Sequence, residues 1–560
     1  MTKRGVFDTI KTTQMAHNKI GVCALEKKLT TRKKKWIERT IANDRSYKLF
    51  LYNRFLIFLT LLLLQLAGYV AIWYLFVYQT KIGVLVQFAV GILSWIAVLR
   101  LINKVDKPST RLGWVIVIIV APVFGLPSYL LFGEGRPAKR LKQKLERAKQ
   151  ENALVMQQVY GKTPQIQPKT RRESLCRFLQ DEADAPAFFD GSVEYYPSGD
   201  KMFAAMKEEI AKAENYILVE YFIIGYGKMW KELLALLLER AEAGAQIRII
   251  YDDFGCMMTL PPKYDQYLEG LHENIRCVTF NNVVPVFALR MNNRDHRKIL
   301  VVDGKVAFTG GVNIADEYIG EKRRFGFWKD TGLKITGDAV RSFIRTFFDT
   351  WNGIYPQKES LNAYLSPSFL KNAEQTTNGK TLIQPYADSP LDDIAVGEAV
   401  YGDMLYSAEK YAYIFTPYLI LDDSMRSALC LAALRGVDVR IVTPAIPDKK
   451  TIYRLTRANY SVLMKAGVKI YEYTPGFIHA KSMLCDDECA VVGTINLDYR
   501  SLYLHFENAV YFQDEKAIGE LKRDCEETFA VSKLCTVENT RRNLFGRIFD
   551  SLLRIFETLF

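Results

Sequence analysis

His296-Arg297-Lys298-Ile299-Leu300-Val301-Val302-Asp303, then six residues, then Gly310-Gly311-Val312-Asn313, recurs as His479-Ala480-Lys481-Ser482-Met483-Leu484-Cys485-Asp486, six residues, Gly493-Thr494-Ile495-Asn496. The chain of 560 residues has only five histidines, and two of them head identically spaced Lys, Asp, Gly and Asn positions. Spacing conserved at that many positions marks an internal duplication rather than coincidence. The apolar, β-branched run after Lys298 predicts a strand, and the second copy predicts its equivalent. Alternate residues of an extended chain share a face, so His296 and Lys298 project together, as do His479 and Lys481. Residues 306–309 and 489–492 read as return strands, with Asp303-Gly304-Lys305 and Asp486-Asp487-Glu488 at the turns.

Two such units facing one another would surround a tetrahedral phosphate with two imidazoles, two ammonium groups and two carboxamides. An imidazole can attack phosphorus and can carry a proton near neutral pH, so one ring serves as nucleophile and the other as acid and base. Lys298 and Lys481 supply fixed positive charge, and Asn313 and Asn496 supply hydrogen-bond donors. This chemistry needs no metal and no cofactor. A single His-x-Lys on a strand is ordinarily a half-exposed polar face. It is the repetition of the whole pattern that turns these four residues into site residues.

Both copies carry the His-x-Lys-x4-Asp signature, and in this the chain resembles the phospholipase D superfamily. The stretches 107–133, 416–418, 434–440 and 453–473 are similar in particular to the bacterial cardiolipin synthases. The resemblance implies an α/β fold of two duplicated lobes with mixed sheets, preceded by an α-helical membrane region. It implies a catalytic set of His296, Lys298, Asp303, His479, Lys481 and Asp486, in which the two Asp hold the turns rather than touch substrate. It further implies that Asp330 and Glu507 each orient the histidine of the opposite half, Asp330 with His479 and Glu507 with His296, and that His296 is the nucleophile. The expected reaction joins two phosphatidylglycerol molecules with release of glycerol. A hydrolase that passes the same phosphatidyl group to water shares the covalent step, and a nuclease of the superfamily shares the signature. His505, beside Glu507 and without a repeat in the first copy, reads as structural.

Duplication extends beyond the signatures. Residues 216–222 match 413–419, and 243–251 match 435–443, each pair reading as strand, helix end and strand. The expected plan is a basic arm over 1–53, a membrane region over 54–133, a basic linker over 134–169, lobes over 170–375 and 376–535, and an amphipathic helix over 536–560.

Charge is unevenly placed: of a net +13, residues 1–54 hold fourteen Lys or Arg against four Asp or Glu. The catalytic part is therefore only mildly basic, which argues against nucleic acid and for anionic membrane lipid as the partner. Nine scattered cysteines do not form a disulfide framework and fit reducing surroundings. Segments 55–78, 82–99 and 112–133 lack charged residues; each approaches the roughly 17–25 residues that cross a bilayer. A multi-pass protein of the cell membrane with a cytoplasmic catalytic part is expected. Pro122, Gly125 and Pro127 predict a kink or a re-entrant turn in the third segment. Residues 134–155 read as a basic helix resting on headgroups, and 283–289 as either a lipid-touching loop or a buried strand. The stripe Phe545, Ile548, Phe549, Leu552 and Phe556 fits either a core-packed or an interfacial helix.

Overall fold

The computed structural model describes residues 81–560 apart from 104–107, 121, 133–138, 162–165, 283–292, 366–380, 393, 541–542, 556 and 558–560, with a few positions between 63 and 74. The expected segment 55–78 and loop 283–289 thus lie essentially outside the described residues.

The duplication is legible strand by strand. In the first sheet the order is Val193–Tyr196, Gly332–Thr336, Val306–Gly310, Lys298–Val302, Tyr216–Tyr221, Gln246–Asp252, Ile275–Phe280. In the second it is Leu382–Asp388, Glu507–Gln513, Cys489–Gly493, Ser482–Cys485, Tyr411–Phe415, Asp438–Pro444, Lys469–Tyr473, with Ser532–Leu534 added at the edge. In both, three strands at one side run parallel and the signature hairpin joins them antiparallel. Such mixed sheets follow from the sequence: the parallel strands are continuous apolar runs joined by helices, whereas the hairpins have tight turns.

Those turns explain the Asp of each signature. Asp303 has φ 51° and Asp486 φ 60°, a left-handed conformation that a short side chain tolerates when it bonds locally. Asp303 accepts backbone N–H bonds from Glu214, Asn215 and Tyr216 at 2.7–2.8 Å. Asp486 accepts from Glu409, Lys410 and Tyr411 at 2.8–2.9 Å. Each pins the start of the neighbouring parallel strand to the hairpin. Replacing Asp303 by Ala strands three buried or half-buried donors; at about 1–3 kcal/mol each, we expect a loss of roughly 3 kcal/mol or more, measurable as a lowered denaturation midpoint.

One apolar core fills the space between the sheets, and a second and third fill the outer layer of each lobe. Helix Val340–Ile354 lies in the first of these, burying Phe343, Ile344, Phe347, Phe348 and Trp351. Helix Lys139–Tyr160 packs on it through Leu145 and Ala148, and the buried Asn152 donates to Asp349 at 2.8 Å. The basic linker is therefore a helix docked on the catalytic core, and only its outward face remains for headgroups. Helix Arg171–Glu182, placed by the sequence boundaries with the first lobe, packs on the second: Leu175, Cys176 and Leu179 join its outer core, and Gln384 donates to the Cys176 carbonyl at 2.8 Å.

Among the described residues no helix is long and apolar enough to cross a membrane. Within the expected span 112–133 the described residues lie in two helices, Pro108–Val120 and Pro122–Phe132. Their described lengths are about 20 Å and about 17 Å at 1.5 Å per residue, short of a hydrocarbon core of about 30 Å. Pro122 starts the second helix because it lacks the N–H that would continue the first. The two fold back on each other: Trp114 meets Tyr129 edge to face at 5.6 Å, and a Cβ on Gly125 would lie 2.3 Å from the Val117 carbonyl oxygen. At the other end helix Leu544–Ile555 is held to helix Lys450–Lys465 by Arg454, which pairs with Asp550 and lies over Phe549, while Phe545 is 82% exposed.

Candidate active site

The two lobes clasp each other through backbone at two equivalent places, and these places build the site. Strand Gly476–Ile478 of the second lobe pairs in parallel with Phe327–Lys329 of the first, and His479 N–H donates to the Lys329 carbonyl at 2.7 Å. Asp295 likewise bridges Phe506, with His296 N–H donating to the Phe506 carbonyl and Phe506 N–H to the Arg294 carbonyl, both at 2.8 Å. The residue before each histidine is thereby registered against the residue before the opposite lobe's carboxylate. Each carboxylate is delivered to the partner histidine as a consequence.

His296 Nδ1 lies 2.9 Å from both carboxylate oxygens of Glu507, and His479 Nδ1 lies 2.6 Å from Asp330 Oδ2. With Nδ1–H donating to a carboxylate, the other ring nitrogen, Nε2, is the one left for chemistry. Both rings are buried, 7% and 8% exposed, and both carboxylates are fully so. Burial and the ammonium of Lys298 hold the His296 ring neutral, its basicity well below the ordinary imidazole range, with His505, Lys481 and His479 adding to the effect. Burial and Lys481 push His479 down to about 4, against the pull of Asp330. Lys481 and His479 act on His296, and Lys298 acts on both His479 and Lys481, so charges of each half of the duplication are felt in the other.

Lys298 and Lys481 are fully buried, each donating to the backbone carbonyl of its own histidine, Lys298 at 2.5 Å. Burial pulls Lys298 down to about 8 and Lys481 to about 7, opposed by Glu507 and Asp330. Asn313 accepts from Ile223 N–H at 3.2 Å and donates to the Tyr318 hydroxyl at 2.7 Å. Asn496 donates to Asp498 at 3.1 Å and Ser501 at 3.0 Å. Asn496 thus has both amide hydrogens engaged within the protein, and a phosphate contact there requires releasing one. Asp303 and Asp486, counted by sequence with the catalytic set, are not brought to the histidines: each lies at the far end of its hairpin strand, about 16 Å along the chain from the lysine at 3.3 Å per residue, bound to backbone N–H groups.

Sequence reasoning missed four participants. The Thr494 hydroxyl donates to Glu507 and accepts from Asn508 N–H at 3.0 Å, so the Thr of Gly-Thr-Ile-Asn braces the carboxylate on His296. At the equivalent Gly311 there is no room for a side chain, because a Cβ would lie 2.0 Å from Asp330 Oδ1. Tyr318 stands edge-on to His479 at 5.5 Å. His505, read as structural, faces His296 at 5.7 Å between ring centroids with a 43° tilt, and Trp328 faces His479 at 5.7 Å and 42°. These two residues stand two before Glu507 and two before Asp330, so alternation along an extended chain was the available signal; comparing identities between copies concealed it.

His296, His505 and Glu507 can bring ligand atoms within 4.8 Å of one another, as a metal site would. Lys298, Lys481, Arg294 and Arg500 all act on these groups, and such a field opposes a cation and favours an anion. The set fits phosphate better than metal.

A pH profile follows. Protonation disables a nucleophilic imidazole, so the acid limb of kcat/KM should fall below the ordinary 6.5 of histidine. Loss of lysine charge gives an alkaline limb beginning near 7 to 8. A bound phosphodiester anion restores lysine protonation, so the alkaline limb of kcat should lie above that of kcat/KM.

The family described as cardiolipin synthase, PLD-like domain, matches residues 206–328 and 401–529, the two hairpin-bearing halves. A second, described as phospholipase D-nuclease N-terminal, matches residues 92–134. A protein of Streptococcus mutans described as uncharacterized is 41% identical over 79% of this chain and 94% of its own. Cardiolipin synthase 2 of Bacillus anthracis is 34% identical over 81% of this chain and 87% of its own. Among solved structures, phosphatidylserine synthase of Haemophilus influenzae Rd KW20 shares the fold at a TM-score of 0.51 and 15% identity, covering 70% of this chain and 98% of that one. With a doubled signature, lobes that clasp through it, and relatives of this identity along most of the chain, the protein belongs to the cardiolipin synthase family of the phospholipase D superfamily.

Proposed function

We propose that the chain is a membrane-bound phosphatidyltransferase that makes cardiolipin from two molecules of phosphatidylglycerol. One observation carries this reading: two buried imidazoles are each braced at Nδ1 by the opposite lobe's carboxylate and accompanied by a buried lysine, and His479 and Lys481 act electrostatically on His296. The phosphodiester anion, entering the pocket, favours the protonated His479 ring; His296 Nε2 then attacks phosphorus, the bond to the departing glycerol oxygen breaks with its electron pair, and His479 Nε2–H gives that oxygen its proton. The phosphatidyl group then rests on His296, whose Nδ1–H continues to donate to Glu507. A hydroxyl of the second lipid loses its proton to His479 and attacks phosphorus, and the electron pair of the P–N bond returns to His296. Lys298 and Lys481 neutralise the phosphoryl oxygens, with Asn313 as a further donor.

The membrane attachment rests on the N-terminal helices. Leu85, Phe88 and Trp95 on helix Lys81–Asn103 and Val120 on the next are 63–77% exposed. Large apolar side chains exposed in such number on neighbouring helices are suited to lipid rather than to water. The hairpin Pro108–Phe132 enters the bilayer without crossing, and the lobes, with their unpaired thiols, face the cytoplasm.

The test is product identity. Purified protein supplied with phosphatidylglycerol vesicles and a chelator should yield cardiolipin and glycerol in equal amounts. Phosphatidic acid as the main lipid product would overturn transfer in favour of hydrolysis.

A further inference from the structure

The two sides of the pocket are not alike, although the duplication places equivalent residues around them. His479 is walled by Trp328, Phe477 and Tyr318, with ring centroids at 5.7, 6.1 and 5.5 Å. Where that side has Trp328, the His296 side has His505. Its side chain is 11% exposed, and among the described residues neither ring nitrogen has a hydrogen-bond partner. Its Nδ1 is 3.8 Å from Glu507, too far to bond. A buried imidazole with both nitrogens open is costly unless something else satisfies it.

The groups acting on His505 are cationic: Arg500 and Arg294 most strongly, then Lys298 and Lys449. Arg294 lies over Phe254 at 5.1 Å, donates to the Asn281 carbonyl at 2.8 Å and pairs with Asp252 at 3.8 Å. Arg500 has Asp498 as its acidic neighbour and is near enough to Arg294 for the two to repel. Lys449 stands over Tyr418 at 5.8 Å, and Tyr418 touches Phe477, which walls His479. The positive charge therefore runs from beside His296 across to the wall of His479, and it is distinct from the Lys298 and Lys481 pair assigned to the reacting phosphate.

We propose that His505, Arg294, Arg500 and Lys449 form a seat for the phosphodiester of the acceptor lipid, which selects a second phosphatidylglycerol over water or a neutral alcohol. This deepens the reading of the chain as a cardiolipin synthase and rests on it. The acceptor carries its own negative charge three carbons from the hydroxyl that reacts, a span of about 5 Å at ordinary bond lengths. A seat extending from His296 to the wall of His479 lets that hydroxyl reach His479 while its phosphate stays on the cations. The reaction at phosphorus is the second step above, with the proton passing to His479 and the P–N electron pair to His296. The neutral His505 ring, one nitrogen donating and one accepting, also matches the remaining glycerol hydroxyl.

The experiment compares two acceptors for one intermediate. Full-length protein in phosphatidylglycerol vesicles is given radiolabelled glycerol, and cardiolipin formation is measured beside incorporation of label into phosphatidylglycerol. Both start from the same phosphatidyl-histidine, but free glycerol has no phosphate for the seat. In His505→Ala and Arg500→Gln the ratio of cardiolipin to labelled phosphatidylglycerol should fall tenfold or more, and His505→Gln should recover part of it. The ratio does not depend on how much protein folds. If it stays within twofold of wild type, or both rates fall in parallel as for a residue that merely positions His296, the seat is wrong and the synthase reading stands. If the wild type exchanges glycerol but makes no cardiolipin, both are wrong.

Discussion

Replacing His296 by Ala should abolish both cardiolipin formation and the covalent intermediate, whereas His479→Ala should slow both steps but still accept a phosphatidyl group on His296. A lost nucleophile removes the route itself, and a lost acid and base costs about 10²- to 10⁴-fold. Acyl-labelled phosphatidylglycerol, mixed with each variant and quenched, should leave label on the protein only where His296 remains. Label on His479 instead would reverse the two roles while leaving the reaction class intact. The measurement is informative because the brace is nearly symmetric: Glu507 on one ring and Asp330 on the other, each from the opposite lobe. What distinguishes the sides is their walls, Trp328 against His505.

Glu507→Gln and Asp330→Asn should each lower kcat by about 10²- to 10⁴-fold with little change in stability. The amide keeps the shape but presents a donor as readily as an acceptor, so the ring can adopt the wrong tautomer and its imidazolium loses a counter-charge. Gly311→Ala should reproduce the Asp330→Asn defect without touching a titratable group, since the added carbon would occupy the place of the Asp330 carboxylate. Loss in all three, with unchanged thermal midpoints for the two isosteric variants, would establish orientation as the cause. Full activity in Asp330→Asn would remove the carboxylate from the mechanism.

These expectations also mark where sequence reading reached and stopped. The hairpins, the parallel strands of both lobes and the pairing of Asp330 with His479 and Glu507 with His296 were readable from the duplication and its resemblance. Thr494, Tyr318 and His505 were not, because each acts through a neighbour supplied by fold geometry rather than through a repeated identity. Helix Arg171–Glu182 was assigned to the nearer lobe in sequence, yet its apolar face fits the second sheet, and burial decides packing without regard to chain order. Segment 112–133 is apolar throughout, and Pro122, Gly125 and Pro127 signalled its kink or re-entrant turn; hydropathy does not give the packing of its halves, which the bare Cα of Gly125 permits.

The sequence by itself determined the reacting groups, because a duplicated His-x-Lys on paired strands sets which side chains project together, and covalent spacing alone enforces that. Only the tertiary structure decided which groups share a pocket. The backbone pairing of Ile478 with Lys329 and of Asp295 with Phe506 brings a carboxylate from 149 residues away onto one ring and from 211 residues away onto the other. Contacts of that range arise from burying a common core between the lobes, a property of packed surfaces that no local pattern encodes.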